Sequence, residues 1–187
     1  MISHRIARRS DAKSLAQVHL VCAKHQKGGF FHELGFYFIL YYYKIILSSK
    51  NSIVLIAEDQ NHKCLGFHSG TLKMEEQIKD LKRNKFILGM ATLPKLLVNP
   101  RLIHEILIRY FSISDSISEN DFGVTSGARG EYWCWLPSNS NSIEALSLWN
   151  KLFNVLKELG VTNLFFEVDT INSRIVSFHK KNGAKIT

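Results

Sequence analysis

The chain has 187 residues, 24 Lys and Arg against 16 Asp and Glu for a formal net charge of +8, and it is 45% hydrophobic and 21% charged. That balance excludes a disordered chain, and 3 Pro with 11 Gly exclude a collagen-like or Pro-rich linker architecture. The length fits one domain covering residues 1–187, large enough to bury about 70% of the surface its unfolded chain exposes.

The opening Met-Ile-Ser-His-Arg-Ile-Ala-Arg-Arg carries charge where a signal peptide needs an apolar core. Ile6 through Asp11 reads as a strand, and Ser10-Asp11 then supplies N-cap chemistry for a helix to about Lys24, with Ala12, Leu15, Ala16, Val18 and His19 on one face. Lys27-Gly28-Gly29 breaks it, and a second helix covers roughly His32 to Ser48. Its apolar run, Leu34 to Tyr43, is ten residues between Glu33 and Lys44. A bilayer span needs about 20, so a buried helix is expected and no transmembrane segment. Ile53–Ala57 is a continuous apolar run suited to a buried strand, and Asp59–His62 turns it into a hairpin with Cys64–Gly70.

Residues 74 to 111 have helical periodicity interrupted at Pro94 and Pro100, with a basic first half (Lys79, Lys82, Arg83, Lys85) and an apolar second half. Ser112 to Gly130 reads as a loop, and Glu131 to Leu136 as an aromatic strand. In Asn141 to Gly160, Ile143, Leu146, Trp149, Leu152, Phe153, Leu156 and Leu159 recur at helical steps, and Gly160 is the stop. A strand at Leu164–Val168 and a short helix from Asn172 to Asn182 follow. The mixture is α/β, without an internal repeat. Cys22, Cys64 and Cys134 are odd in number and widely spaced, so they form neither a disulfide framework nor a metal knuckle. No metal is expected, and a reducing, cytoplasmic setting is.

From Glu131 the order is strand, helix, strand, helix. A right-handed crossover makes the two strands parallel and sets the first helix's N-terminus at their carboxyl end, where free N–H groups and the helix dipole favour phosphate. The turn there, Pro137-Ser138-Asn139-Ser140-Asn141-Ser142, is small and polar. A turn that merely caps a helix fits the same residues.

The run Val168-Asp169-Thr170-Ile171-Asn172 through Phe178-His179-Lys180-Lys181-Asn182-Gly183-Ala184 resembles a GNAT acetyltransferase signature. That signature is a strand ending in Val, Asn four residues on, a short helix with Tyr-x-Lys, then Gly. Trp135-Leu136-Pro137 is similar to the family's Val-x-Pro, and Ile6–Ala12 to its opening strand and first helix. Gly29–Ile46, Val54–Glu58 and Leu65–Phe67, with a helical insertion over Met74–Phe111, resemble a branch met among bacterial surface-polysaccharide genes. The resemblance implies the GNAT fold, a mixed sheet with splayed parallel central strands and helices on both faces. It also implies acetyl-CoA as donor. The strand backbone at Trp133, Cys134, Trp135 and Leu136 would hold the pantetheine, helped by Asn172 and Phe178. The pyrophosphate would meet Ser140, Asn141, Ser142, Ile143, Glu144 and Ala145, of which only Ala145 matches the family's Gln/Arg-x-x-Gly-x-Gly/Ala form; Glu144 would bring a negative charge to the phosphates.

By position, His179 stands where the family has its Tyr, an acid for the departing thiolate, since an imidazole donates a proton near neutrality. A half-buried helix histidine with no catalytic part is the plain alternative. Strand alternation sets Glu131, the candidate base, on the face of Trp133 and Trp135. The resemblance sets the acceptor beside Phe30, Phe31 and Tyr37, with residues 74–111 as a lid, although aromatic clusters at helical spacing usually belong to a core. The expected acceptor is a small-molecule primary amine, an amino sugar or a nucleotide-linked one. The other readings are a non-catalytic scaffold with this fold and a protein N-acetyltransferase. The basic clusters are short and no nucleic-acid module is recognisable, so nucleic acid is not expected as a partner. The apolar helix around 93 to 111 suits a membrane surface or a homodimer contact. The family usually has one more strand after the glycine that Gly183 matches, so an open sheet edge, a strand from a partner, or a shortened chain is expected at Thr187.

Overall fold

The computed structural model describes residues 2–24, 33–106, 108, 126–139, 141–168 and 172–185. Its centre is a five-stranded sheet of β1 (Ser3–Ile6), β2 (Ser52–Glu58), β3 (Cys64–Thr71), β4 (Ala128–Trp135) and β5 (Leu164–Phe166), in spatial order β1-β2-β3-β4-β5. The first four strands are antiparallel neighbours, and β5 runs parallel to β4. Helices α1 (Ala12–Ala23) and α2 (Gly35–Ile46) pack on one face, where Leu15, Ile39 and Tyr43 meet Val54, Ile56 and Phe67. Helix α5 (Ser142–Glu158) covers the other, where Leu148, Leu152 and Leu156 meet Leu55 and Ala57. Residues 54–57 therefore alternate between two buried faces, which is why they read as one continuous apolar run. Helix α3 (Met74–Arg83) and α4 (Lys85–Val98) form the insertion between β3 and β4, and α6 (Ser173–Lys181) follows β5. The mixed sheet, the helices on both faces and the insertion agree with the expected architecture.

Several boundaries differ from the sequence reading. The first strand is Ser3–Ile6, and Arg9–Asp11 is a 3-10 turn. Asp11 does not cap α1. Its carboxylate reaches back to the Arg8 N–H at 2.6 Å and accepts from the Arg5 guanidinium at 2.7 Å. Arg5, half-buried between Asp11 and Glu58, makes a charge-assisted staple that hydropathy cannot report. The insertion breaks at Asn84, not at Pro94. The Asn84 side chain donates to the Asp80 carbonyl at 2.8 Å and closes α3, whereas α4 continues through Pro94 with Met90 and Pro94 both exposed, so water can satisfy the carbonyl the ring leaves unpaired. Ala128–Gly130 belongs to β4 and not to the preceding loop. On α5 the buried face is Ala145, Leu148, Trp149, Leu152 and Leu156, while Ile143, Leu146 and Leu159 are exposed. Gly160, at φ +84°, ends the helix as expected, with the Val161 N–H returning to the Leu156 carbonyl.

Candidate active site where β4 and β5 part

The β3–β4 ladder contains an irregularity that positions the site. His68 stands opposite Trp133 and Gly70 opposite Gly130, so Ser69 alone faces both Glu131 and Tyr132. This is a β-bulge, and one extra residue resets which side of the sheet each later side chain takes. Ser69 locks it: its Oγ accepts the Tyr132 N–H at 3.1 Å and donates to the Tyr132 carbonyl at 3.4 Å. Gly130, before the bulge, faces α6, where any Cβ would collide with the Phe166 ring. Trp133, after it, faces the same way and stacks on Phe178. Glu131 and Tyr132 lie between them and both turn toward α1 and α2. Glu131 therefore does not share the face of Trp133 and Trp135, and simple alternation failed because of the inserted residue.

Glu131 is held by long-range partners. The Tyr42 hydroxyl donates to Glu131 Oε1 at 3.4 Å, and the Tyr42 and Tyr132 rings are 6.2 Å apart. Glu131 Oε2 is buried with no hydrogen-bond partner among the described residues. Burial raises the carboxyl above the ordinary glutamate range, while Arg129, Gln77, Tyr42 and Ser69 pull it partly back. Tyr42 and Gln77 were not among the expected site residues. Tyr42 is one of several aromatics on α2, and Gln77 is a buried polar residue on a mostly charged helix. No local spacing links either to a residue on β4.

The opposite face carries an aromatic cluster. Phe178 lies 5.4 Å from Trp133 and 5.3 Å from Trp149, and His179 stacks on Phe166 at 5.0 Å. Burial lowers the His179 pKa below 6.5, so the imidazole is mostly neutral near pH 7. His68 of β3 sits 6.3 Å from Trp133 and 5.9 Å from Phe153, buried, with no partner at Nδ1 among the described residues. Burial pushes it down to about 3, with His179 adding to the shift and the Trp149 backbone opposing it. Trp133 Nε1 is likewise buried without a partner among the described residues.

Among the described residues, β5 pairs with β4 only at 128–130. Beyond Gly130, β4 keeps β3 on one edge, out to the Leu136 N–H on the Leu65 carbonyl, while its other edge is unpaired among the described residues. Cys134 turns away from this gap into the α1 core, beside Cys22. Trp135 orders the following turn, its indole donating to the Asn139 carbonyl at 2.7 Å. Asn141 caps α5 by accepting the Glu144 N–H at 3.1 Å, which leaves the Ser142 and Ile143 N–H groups as first-turn donors. Ile143 is 78% exposed and Ala145 is buried. The Glu144 carboxylate lies 3.4 Å from His4 Nε2 on β1, but burial lowers the His4 pKa and leaves the ring mostly neutral near pH 7, so no ion pair with His4 offsets this carboxylate in the first turn of α5. Asn172 caps α6 by accepting the Ile175 N–H at 3.4 Å.

Tyr37 is exposed on α2 and borders an apolar groove of about 400 Å³, where Tyr37 and Tyr41 face Phe86, Ile87, Met90 and Pro94 of α4. None of these residues touches Glu131. Phe30, Phe31 and Ser140 lie outside the described residues. The three cysteines are free and buried. Among the described residues no group of three or more His, Cys, Asp or Glu is arranged for a metal, and no helix is long and apolar enough to cross a membrane.

No protein-family model and no curated protein sequence matches the chain. Solved structures do. Aminoglycoside N-acetyltransferase AAC(6')-Iy in complex with CoA is similar with a TM-score of 0.59 at 12% identity, over 100% of this chain and 90% of that one. The 6'-N-acetyltransferase AAC(6')-IG from Acinetobacter haemolyticus gives 0.57 at 12%, over 99% and 92%. Ribosomal-protein-alanine N-acetyltransferase from Brucella melitensis biovar Abortus 2308 gives 0.53 at 10%, over 100% and 94%. The chain has the GNAT acetyltransferase fold. At such identities the likeness is one of fold, and the activity must be argued from the site.

Proposed function

We propose that the protein transfers an acetyl group from acetyl-CoA to a primary amine of a small molecule. The observation that carries this reading is the buried Glu131 carboxylate, with Oε2 unpartnered, at a bulge beside an unpaired strand edge. The donor's features fit the gap. The β4 edge at Trp133–Leu136 and the orphaned Trp133 Nε1 suit the amides of a pantetheine arm, with Asn172 near the end of β5 as a further contact. The N-terminus of α5, with Asn141, Ser142 and Ile143, offers N–H donors to the pyrophosphate, and Ser140 precedes them in the sequence; the Glu144 carboxylate in the same turn opposes phosphate binding. Acetyl-CoA, when bound, supplies an activated thioester.

The chain's own residues do the rest. Glu131, made more basic by burial, accepts the proton of the incoming ammonium at Oε2, while Tyr42 fixes Oε1. From the opposite face of the sheet, His179 is the acid for the departing thiolate in its imidazolium form, the minor form near pH 7. Because burial lowers the His179 pKa and raises that of Glu131, turnover should follow a bell whose two limbs lie closer together than the ordinary values would set them. His179→Phe should lower kcat, leave CoA affinity nearly unchanged and abolish the descending limb; a profile that keeps both limbs removes His179 from the mechanism.

An amino sugar, free or nucleotide-linked, is the acceptor we favour, from the surface-polysaccharide branch resemblance. The aminoglycoside acetyltransferases among the structural neighbours are compatible with it. A screen of amino sugars against peptides for thiol release decides between this and protein N-acetylation. A cytoplasmic location fits three reduced, buried cysteines. A second reading, a non-catalytic scaffold, is favoured by one observation: the Trp133 and Phe178 rings already stack on each other on the sheet face beside the unpaired β4 edge. Titration of acetyl-CoA separates the two. A competent site gains about 2.7 kcal/mol at a hundredfold excess over Kd and alters the fluorescence of Trp133 and Trp149; no thermal shift at millimolar acetyl-CoA overturns the enzyme reading.

A further inference from the structure

Helix α4 packs on the molecule through Leu88, Ala91 and Thr92, and the stem of Lys95 runs close to Gly35. Its outer side carries Phe86, Met90, Leu93 and Leu97 at steps of four, three and four, a single stripe along one face, with Val98 at its end. Phe86 is 77% exposed and Leu97 84%. Large side chains this exposed, in line, cost solubility unless something covers them.

Charge selects the cover. Lys82, Arg83 and Lys85 precede the stripe and Arg101 follows it, while Lys95 belongs to the packed side; the four that flank the stripe are exposed, and residues 81–104, between Asp80 and Glu105, contain no Asp or Glu. Arg83 keeps Asp80 at 3.8 Å on the neighbouring helix, and the other three have no carboxylate partner among the described residues. A second copy of the chain laid on this face by two-fold symmetry would bring cations against cations with no acid from this segment between them. An anionic surface answers both features. At 14 residues α4 is about 21 Å long, too short to cross a bilayer of about 30 Å, and suited to lying in its plane. Apolar side chains then enter the acyl boundary while Lys and Arg stems reach to the phosphates.

We propose that the outer face of α4 docks the protein on an anionic membrane surface. This docking needs no acetyl transfer and can be read without it. The full chain is floated with vesicles of phosphatidylcholine containing phosphatidylglycerol, and with phosphatidylcholine alone. The expected result is co-flotation with the anionic vesicles, weakened in about 0.5 M salt. Lys82→Ala and Lys85→Ala should each weaken partitioning about fivefold, and Leu97→Asp should abolish it with an unchanged melting temperature, since Leu97 has little to lose on the surface. Flotation that is absent with phosphatidylglycerol, or indifferent to Leu97→Asp, overturns the proposal. So does a concentration-dependent dimer in light scattering that Leu97→Asp dissolves.

Discussion

Glu131→Gln is expected to lower kcat by roughly 10²–10⁴-fold, the usual contribution of a positioned base, while acetyl-CoA binding measured by thermal shift stays nearly constant. Gln has the shape of Glu, and its carbonyl oxygen can still accept from the Tyr42 hydroxyl, so the bulge and the Ser69 lock should survive. What is lost is a group able to take a proton. The same change has a second signature that a purely structural glutamate would also give, and the two must be read together. Burial raises the Glu131 pKa, so ionisation is disfavoured in the folded chain. That cost is absent below the ordinary value near about pH 4.3 and grows as pH rises through the raised one. Glu131→Gln should therefore raise the melting temperature at pH 8 and not at pH 4, even as turnover collapses. Loss of turnover with no loss of fold assigns the carboxylate to chemistry. Full activity in Glu131→Gln removes it from the mechanism.

Glu131 also marks where sequence stops being legible. The elements that bracket the site could be read because their signals are local. Asn141 and Asn172 each cap a helix by reaching three residues ahead, a pairing visible in any short window. Gly160 ends α5 for a reason carried by one residue. The bulge carries no such mark. Glu131 and Tyr132 differ from an ordinary strand only in facing one partner residue rather than two, and that count depends on a β3 strand some 60 positions away, as the 63-residue separation of Ser69 and Tyr132 shows. Tyr42 and Gln77 are invisible for the same reason. Pro94 misled in the opposite direction: its signal is local, but the solvent beside α4 removes the penalty that would have ended the helix. Periodicity also misplaced the buried stripe of α5. Ile143, Leu146 and Leu159 are apolar at helical steps and yet exposed, because α5 is centred on the sheet through Leu148, Leu152 and Leu156.

His68 should make the fold acid-labile well above the range where ordinary carboxylates titrate. In the unfolded chain its pKa is near 6.5, and in the folded one burial pushes it down to about 3. The native state thus refuses a proton that the unfolded state accepts. The resulting stability is fully present above about pH 6.5, and falls with pH toward a loss of about 4–5 kcal/mol near pH 3, with a slope of about 1.4 kcal/mol per pH unit between. His4 and His179 are also lowered by burial and contribute in the same direction, so the wild-type curve alone does not isolate His68. The difference between wild type and His68→Phe does. Phenylalanine is apolar and aromatic, as Trp133 and Phe153 around it are, and leaves no unpartnered Nδ1. Denaturant melts from pH 7.5 to 4.5 should show the variant losing stability with a slope shallower by nearly one proton. Equal slopes would mean that His68 opens to solvent before it protonates, and that the aromatic layer between β3, α5 and α6 is looser than its packing implies. A shallower slope ties the layer that flanks the proposed donor site to a histidine that must stay neutral, because protonating it would put an uncompensated charge under Trp133.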